Sequence, residues 1–130
     1  MLSAECKVQS EQEHTNSKHI CAEKSFEFAV RIVNLCKILR HERREYTLSK
    51  QLLRSGTSIG ANISEAQHAQ SRADFLSKMN ISLKETTETR YWLRLLEATE
   101  YLTKTEFSSI DRDCAELEKI LVASVITKKE

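Results

Sequence analysis

Apolar side chains recur at steps of three and four in four separate stretches of the chain. In the first, Phe26, Ala29, Val30, Val33 and Cys36 form a stripe that Ile32 and Leu39 widen, with Phe28 and Leu35 outside it. This spacing predicts a helix from about Ser25 to Arg40. In the second, Leu48, Leu52, Ile59, Ile63 and Ala66 line one face of a helix from about Thr47 to Ala69. The third follows Ser71-Arg-Ala-Asp74, a capping-box pattern whose hydroxyl can satisfy a free backbone N–H at the helix start. It reaches about Ala98, a length of ~40 Å at the rise of an α-helix. Thr103-Lys-Thr-Glu106 repeats the box before the fourth helix. There Phe107, Ile110, Cys114, Leu117, Leu121 and Ser124 face inward, and Asp111, Glu118 and Lys119 face out. Residues 1–22 are polar and aperiodic and read as a mobile tail, leaving 23–127 as the folded domain.

Four amphipathic helices joined by short links predict an all-α, antiparallel four-helix bundle, because short links leave neighbours no other way to pack. The absence of Pro and the presence of only two Gly agree, since an all-β chain needs far more turn residues. No apolar run approaches the ~18 residues of a membrane span. The N-terminus has no basic start followed by an apolar core, so no secretory signal is expected. Cys6, Cys21, Cys36 and Cys114 lack any C-x-x-C spacing. Reduced thiols in a cytoplasmic protein are therefore expected, rather than disulfides or zinc.

The third helix is apolar on more than one side. Phe75, Met79, Ser82, Thr86 and Leu93 form one stripe, Ile81, Trp92 and Leu95 a second, and Leu76 and Leu83 lie on the other flank. One bundle core buries a single stripe per helix. The second stripe thus reads as a subunit interface, or else as a thick core capped by Trp92.

The second helix is unusual at its centre. Residues 55–64 are mostly Ser, Gly, Thr and Ala and include both glycines. Gly costs ~1 kcal/mol per helical position against Ala, and Ser or Thr roughly half that. Packing must return this. Gly56 and Gly60, four apart, with Ser55 and Ile59, form a shallow groove that another helix can approach closely. A phosphate cradle would instead need the glycines in a loop before a helix. Beside the groove runs a polar row, Ser58, Asn62 and Glu65. Glu85 and Glu88 lie near Trp92 on the third helix, and together these residues read as a polar network or interface.

Glu65-x-x-His68 is half of a di-iron motif, which needs a second such pair and two further glutamates. The only other copy, Glu11-x-x-His14, lies in the tail, and Glu85-x-x-Glu88 has no His. Helical geometry places His68 on the solvent side with Lys50, Arg54 and Ala61. No metal or other cofactor is expected. Nor is catalysis: the Ser residues have no evident His and acid partners, His41 lies in a charged turn, and Cys36 and Cys114 read as core thiols.

Charge adds a candidate interface. The net charge is only +1, but residues 24–54 carry eight Lys/Arg against three Glu, while residues 95–130 carry five against eight Asp/Glu. Arg40, Arg43, Arg44, Lys50 and Arg54 would contact phosphates as positioning charges rather than base readers. Exposed aromatics look few, so sequence-specific reading of single strands is not expected.

The segments KSFEFAVRIVNLCKIL, LSKQLLRSGTSIGANISEAQHAQSRADFLSKMNISLKETTETRYWLRLLEATEYL and ELEKIL together span about Lys24 to Val125. They resemble the bacterial four helix bundle protein family, the ribosomal-protein-like family encoded by intervening sequences within large-subunit ribosomal RNA genes. The resemblance implies a left-handed up-down-up-down bundle and a ring-like homopentamer without assigned catalytic residues. The accessory variability proteins of diversity-generating retroelements look like the same bundle. They are pentameric and basic, and they bind nucleic acid and a reverse transcriptase. The sequence thus points to a non-enzymatic oligomer that accompanies RNA or other nucleic acid. The alternatives are a protein-interaction scaffold without nucleic acid and, more distantly, a metal-binding bundle. A net charge of +1 departs from strongly basic relatives and confines any anion-binding surface to the basic half.

Overall fold

The computed structural model describes residues 2–129, with side chains from residue 19 to residue 126. Its elements are α1 (Leu2–His41), α2 (Leu48–Gln67), α3 (Arg72–Ala98) and α4 (Lys104–Lys129), with no strand among the described residues. Each helix packs on its sequence neighbours and α4 closes on α1, while the diagonal pairs stay apart. Partners step in opposite directions along adjacent helices. Ser55 and Glu65 of α2 meet Thr89 and Lys78 of α3, and Thr86 and Arg90 of α3 meet Cys114 and Asp111 of α4.

The predicted starts of α3 and α4 are built by their caps. Ser71 Oγ accepts the Asp74 N–H at 3.0 Å. Thr103 and Glu106 exchange both capping-box bonds, at 2.8 and 3.1 Å. Each such cap contributes about 1 kcal/mol. At the end of α3, Glu100 takes a left-handed φ of 69°. That lets Tyr101 N–H reach Leu96 O at 2.9 Å and Glu100 N–H reach Glu97 O at 3.0 Å, closing the helix in a Schellman-type turn.

α1 differs from the sequence reading in two ways. Its helical span begins at Leu2, inside the segment read as a tail. The side chains of residues 2–18, Cys6 and Glu11-x-x-His14 among them, lie outside the described residues. Cys21, read as part of that tail, is buried in the core. The inward stripe keeps Ile32, Cys36 and Leu39 as expected but is rotated towards Phe28, which was placed outside it. Cys21, Ser25, Phe28, Ile32, Cys36 and Leu39 are buried, whereas Phe26 is 70% and Val30 45% exposed. The inward row 21-25-28-32-35-39, in which Leu35 is half-buried and which Cys36 borders, alternates steps of four and three. So does its neighbour 22-26-29-33-36-40, and periodicity cannot choose between two adjacent rows. The inward row carries Phe28, Ile32, Leu35 and Leu39, and its greater volume fills the space between α2 and α4.

On α3 the first stripe is inside, with Met79, Ser82, Thr86, Thr89, Leu93 and Leu96 buried. Trp92, assigned above to a second stripe, is half-buried and packs against the core, and Ile81 is exposed. The buried hydroxyls on the α2–α3 seam are satisfied: Thr89 Oγ1 donates to Ser55 Oγ at 3.0 Å, and Ser82 Oγ donates to Ile59 O at 2.8 Å.

Neither glycine has a positive φ, so neither serves a turn. What they supply is room. A Cβ on Gly56 would stand 2.8 Å from both Cγ1 and Cγ2 of Ile32, and a Cβ on Gly60 3.3 Å from the Ser25 carbonyl oxygen. α1 therefore lies on the small-residue face of α2, and burial of Ile32 against it offsets the lost helix propensity.

Candidate nucleic-acid interface

The α1–α2 turn shapes the basic end of the molecule. α1 closes as Arg43 N–H reaches Ile38 O at 3.2 Å and Glu45 N–H reaches Leu39 O at 2.9 Å. Between them Arg44 adopts a left-handed φ of 58°. For a residue with a Cβ this conformation costs ~1–2 kcal/mol. Glu45 is buried and turns its carboxylate onto the start of α2. Oε1 accepts the Thr47 and Leu48 N–H groups at 3.0 and 2.7 Å, and Oε2 accepts Ser49 N–H at 2.6 Å. Thr47, the nominal cap residue, makes no side-chain cap bond. A carboxylate here satisfies orphan donors and suits the positive end of the helix dipole.

The turn leaves a cleft of about 490 Å³ between the last turns of α1 and the first of α2. Val33, Cys36 and Leu53 supply its apolar side. Lys37, Arg40, His41 and Arg44 supply cations or potential cations, and Tyr46, half-exposed, completes the lining. Lys37, Arg40 and Arg44 are exposed and form no ion pair with any described carboxylate. Burial pushes the Cys36 thiol up to about 11, against the opposing pull of Arg40.

The five basic residues singled out from sequence divide accordingly. Arg40 and Arg44 meet in the cleft. Lys50 is exposed on the first turn of α2 outside it. Arg43 points the other way, donating to Tyr101 O at 2.7 Å and to both Glu106 oxygens at 3.0 and 2.6 Å. That pairing, with the Thr103 N–H, holds the Glu106 carboxyl down at about 2. Arg54 is bound to Glu88, and to Glu85 at 3.5 Å. Lys37 and Tyr46 were missed. The signal for Lys37 was present in its spacing, three before Arg40, which puts the two cations on one face of α1.

The polar row lies along the outer α2–α3 seam. Asn62 Nδ2 donates to Ser58 O at 2.9 Å and Ser58 Oγ at 3.0 Å, and Glu65 pairs with Lys78 at 3.0 Å. Burial is the main cause raising the Glu85 carboxyl, while the Arg54 bond lowers that of Glu88. The Trp92 indole Nε1 is buried without a hydrogen bond of ordinary geometry. His68 ends α2 on the exposed side and meets Glu65 through the backbone, its N–H donating to Glu65 O at 3.1 Å. Among the described residues no His, Cys, Asp and Glu cluster of metal-site size occurs, and no helix is long and apolar enough to cross a membrane.

A crystal structure of a protein with unknown function, from the S23 ribosomal protein family of Bacteroides thetaiotaomicron, superposes with a TM-score of 0.83. The two sequences are 56% identical over 84% of this chain and 97% of that one. No curated protein matches. Residues 17–123, all four helices in large part, match the family described as 23S rRNA-intervening sequence protein. By sequence over most of its length, and by fold, the chain belongs to the 23S rRNA-intervening sequence protein family.

Proposed function

We propose that the protein is a non-enzymatic, self-associating bundle that binds nucleic acid through the α1–α2 end. One observation carries the reading: Lys37, Arg40 and Arg44 share a cleft and pair with no described carboxylate, whereas Arg31, Arg43, Arg54 and Arg90 each face a carboxylate. Unneutralised cations gathered at one place bind phosphates by releasing counterions. With Lys50 nearby on α2, four such charges give a log–log salt slope of about −3 on a single strand. Self-association rests on Phe26 and Val30, adjacent on the outer row of α1 and 70% and 45% exposed. The family resemblance favours a homopentamer.

Size-exclusion chromatography with light scattering and a 260/280 nm absorbance ratio, at low and high salt, tests both parts. A species of about five subunits that sheds nucleic acid as salt rises is the expected result. A clean oligomer free of nucleic acid at low salt would reject the phosphate-binding part. It would favour a protein scaffold, which the exposed apolar row of α1 serves equally well. A monomer would reject self-association.

A further inference from the structure

The cleft is more than a basic patch. A duplex needs only cations at the spacing of its phosphates, and its bases show no free face. The cleft is concave, and its volume of about 490 Å³ lies within the range of small-ligand sites, ~300–1,000 Å³. Its inner side is apolar, from Val33, Cys36 and Leu53, and Tyr46 is 51% exposed beside it. An apolar recess with an aromatic ring, rimmed by cations, complements a flat apolar ring joined to a phosphate. That combination occurs in an unpaired nucleotide.

The turn that ends α1 sets an arginine at the rim. Arg44 holds a left-handed φ of 58° where glycine would fit without cost. As with Glu100 at the end of α3, this conformation terminates the helix, and here it leaves the arginine lining the cleft. Tyr46 follows two residues later, between Arg44 and the Glu45-capped start of α2, so the same rigid turn positions both.

We infer that the α1–α2 cleft takes an unpaired nucleotide of a single-stranded nucleic acid. The base lies against Tyr46 and the apolar wall, and the adjoining phosphates lie on Lys37, Arg40 and Arg44. This rests on the phosphate-binding reading above and narrows it to single strands. Stacking tolerates any base, so the site selects for being unpaired rather than for sequence.

The test is fluorescence anisotropy at low salt with three labelled probes: an adenine-rich eight-nucleotide RNA strand, the same strand as DNA, and the RNA paired into a duplex. The full chain is compared with Tyr46→Ala, Tyr46→Phe and Arg40→Gln, each checked for unchanged circular dichroism. A single strand is expected to bind at least about tenfold more tightly than the duplex. Tyr46→Ala weakens single-strand binding far more than duplex binding and so removes most of that preference, Tyr46→Phe retains it, and Arg40→Gln weakens all binding. Whichever strand, RNA or DNA, responds to Tyr46→Ala is the occupant. Equal binding of strand and duplex, indifferent to Tyr46→Ala, overturns the single-strand inference but leaves phosphate binding intact. No binding of any probe overturns both.

Discussion

Gly56→Ala puts the packing of α1 on α2 to a direct test. Alanine in a helix interior gains ~1 kcal/mol over glycine, and Gly56 has a helical φ, so propensity alone favours the change. Space opposes it. The new Cβ would meet Cγ1 and Cγ2 of Ile32 at 2.8 Å and Cδ1 at 3.2 Å. Contacts of ordinary length begin near 3.4 Å, so Ile32 must retreat by roughly half an ångström. It is fully buried, and both of its branches touch the site, so a rotamer change cannot clear them. Overpacking of this kind costs about 1–3 kcal/mol. The net is a loss of up to about 2 kcal/mol, or several degrees in Tm. Gly60→Ala is the internal control. It gains the same propensity, and its Cβ meets Ser25 O at the milder 3.3 Å. It should be neutral to slightly stabilising. Urea unfolding of both variants, of Ile32→Ala alone, and of Gly56→Ala combined with Ile32→Ala completes a double-mutant cycle. The new methyl group should then refill part of the Ile32 cavity, giving a coupling of about 1 kcal/mol or more. A Gly56→Ala variant as stabilised as Gly60→Ala, with an additive cycle, would refute the account of the small-residue helix.

Glu45→Ala removes the acceptor for three backbone N–H groups and should cost about 1–3 kcal/mol in urea melts, with Glu45→Gln retaining part of it. Glu106 is held down at about 2, below the ~4.3 of a free glutamate, so its pairing with Arg43 stabilises the fold above about pH 4.5. That contribution is lost as pH falls through about 2. Glu106→Gln should flatten stability against pH between 5 and 2 by about 1 kcal/mol, a value reduced for solvent access. Burial raises the thiols of Cys21, Cys36 and Cys114, the last two to about 11 and about 12, so a disulfide reagent at pH 8 should modify these three only on unfolding. Arg44→Gly relieves a left-handed arginine and should raise Tm by a degree or more while weakening nucleic-acid binding.

The repeat of apolar residues, the two capping boxes and the glycine spacing made four helices and their boundaries legible to within a few residues for α2 and α3. These are local properties. A capping hydroxyl or an i, i+4 spacing acts on its own helix whatever that helix packs against. The small residues of α2 also signalled a close approach, because their propensity cost needed a tertiary return.

What the sequence could not decide was which of two adjacent rows of α1 turns inward, since both have the same period. Partner volume chose the row of Phe28 over that of Phe26. Nor could it tell a free arginine from an engaged one. Arg43 and Arg54 meet their carboxylates across gaps of 63 and 34 residues, while Arg40 and Arg44 meet none among the described residues. Charge is a property of the residue, but neutralisation depends on what the fold brings beside it. Tyr46 joined the cleft for the same reason. Helix identity was therefore set by local sequence, and the candidate site by tertiary structure, because only folding brings the end of α1 and the start of α2 around one recess.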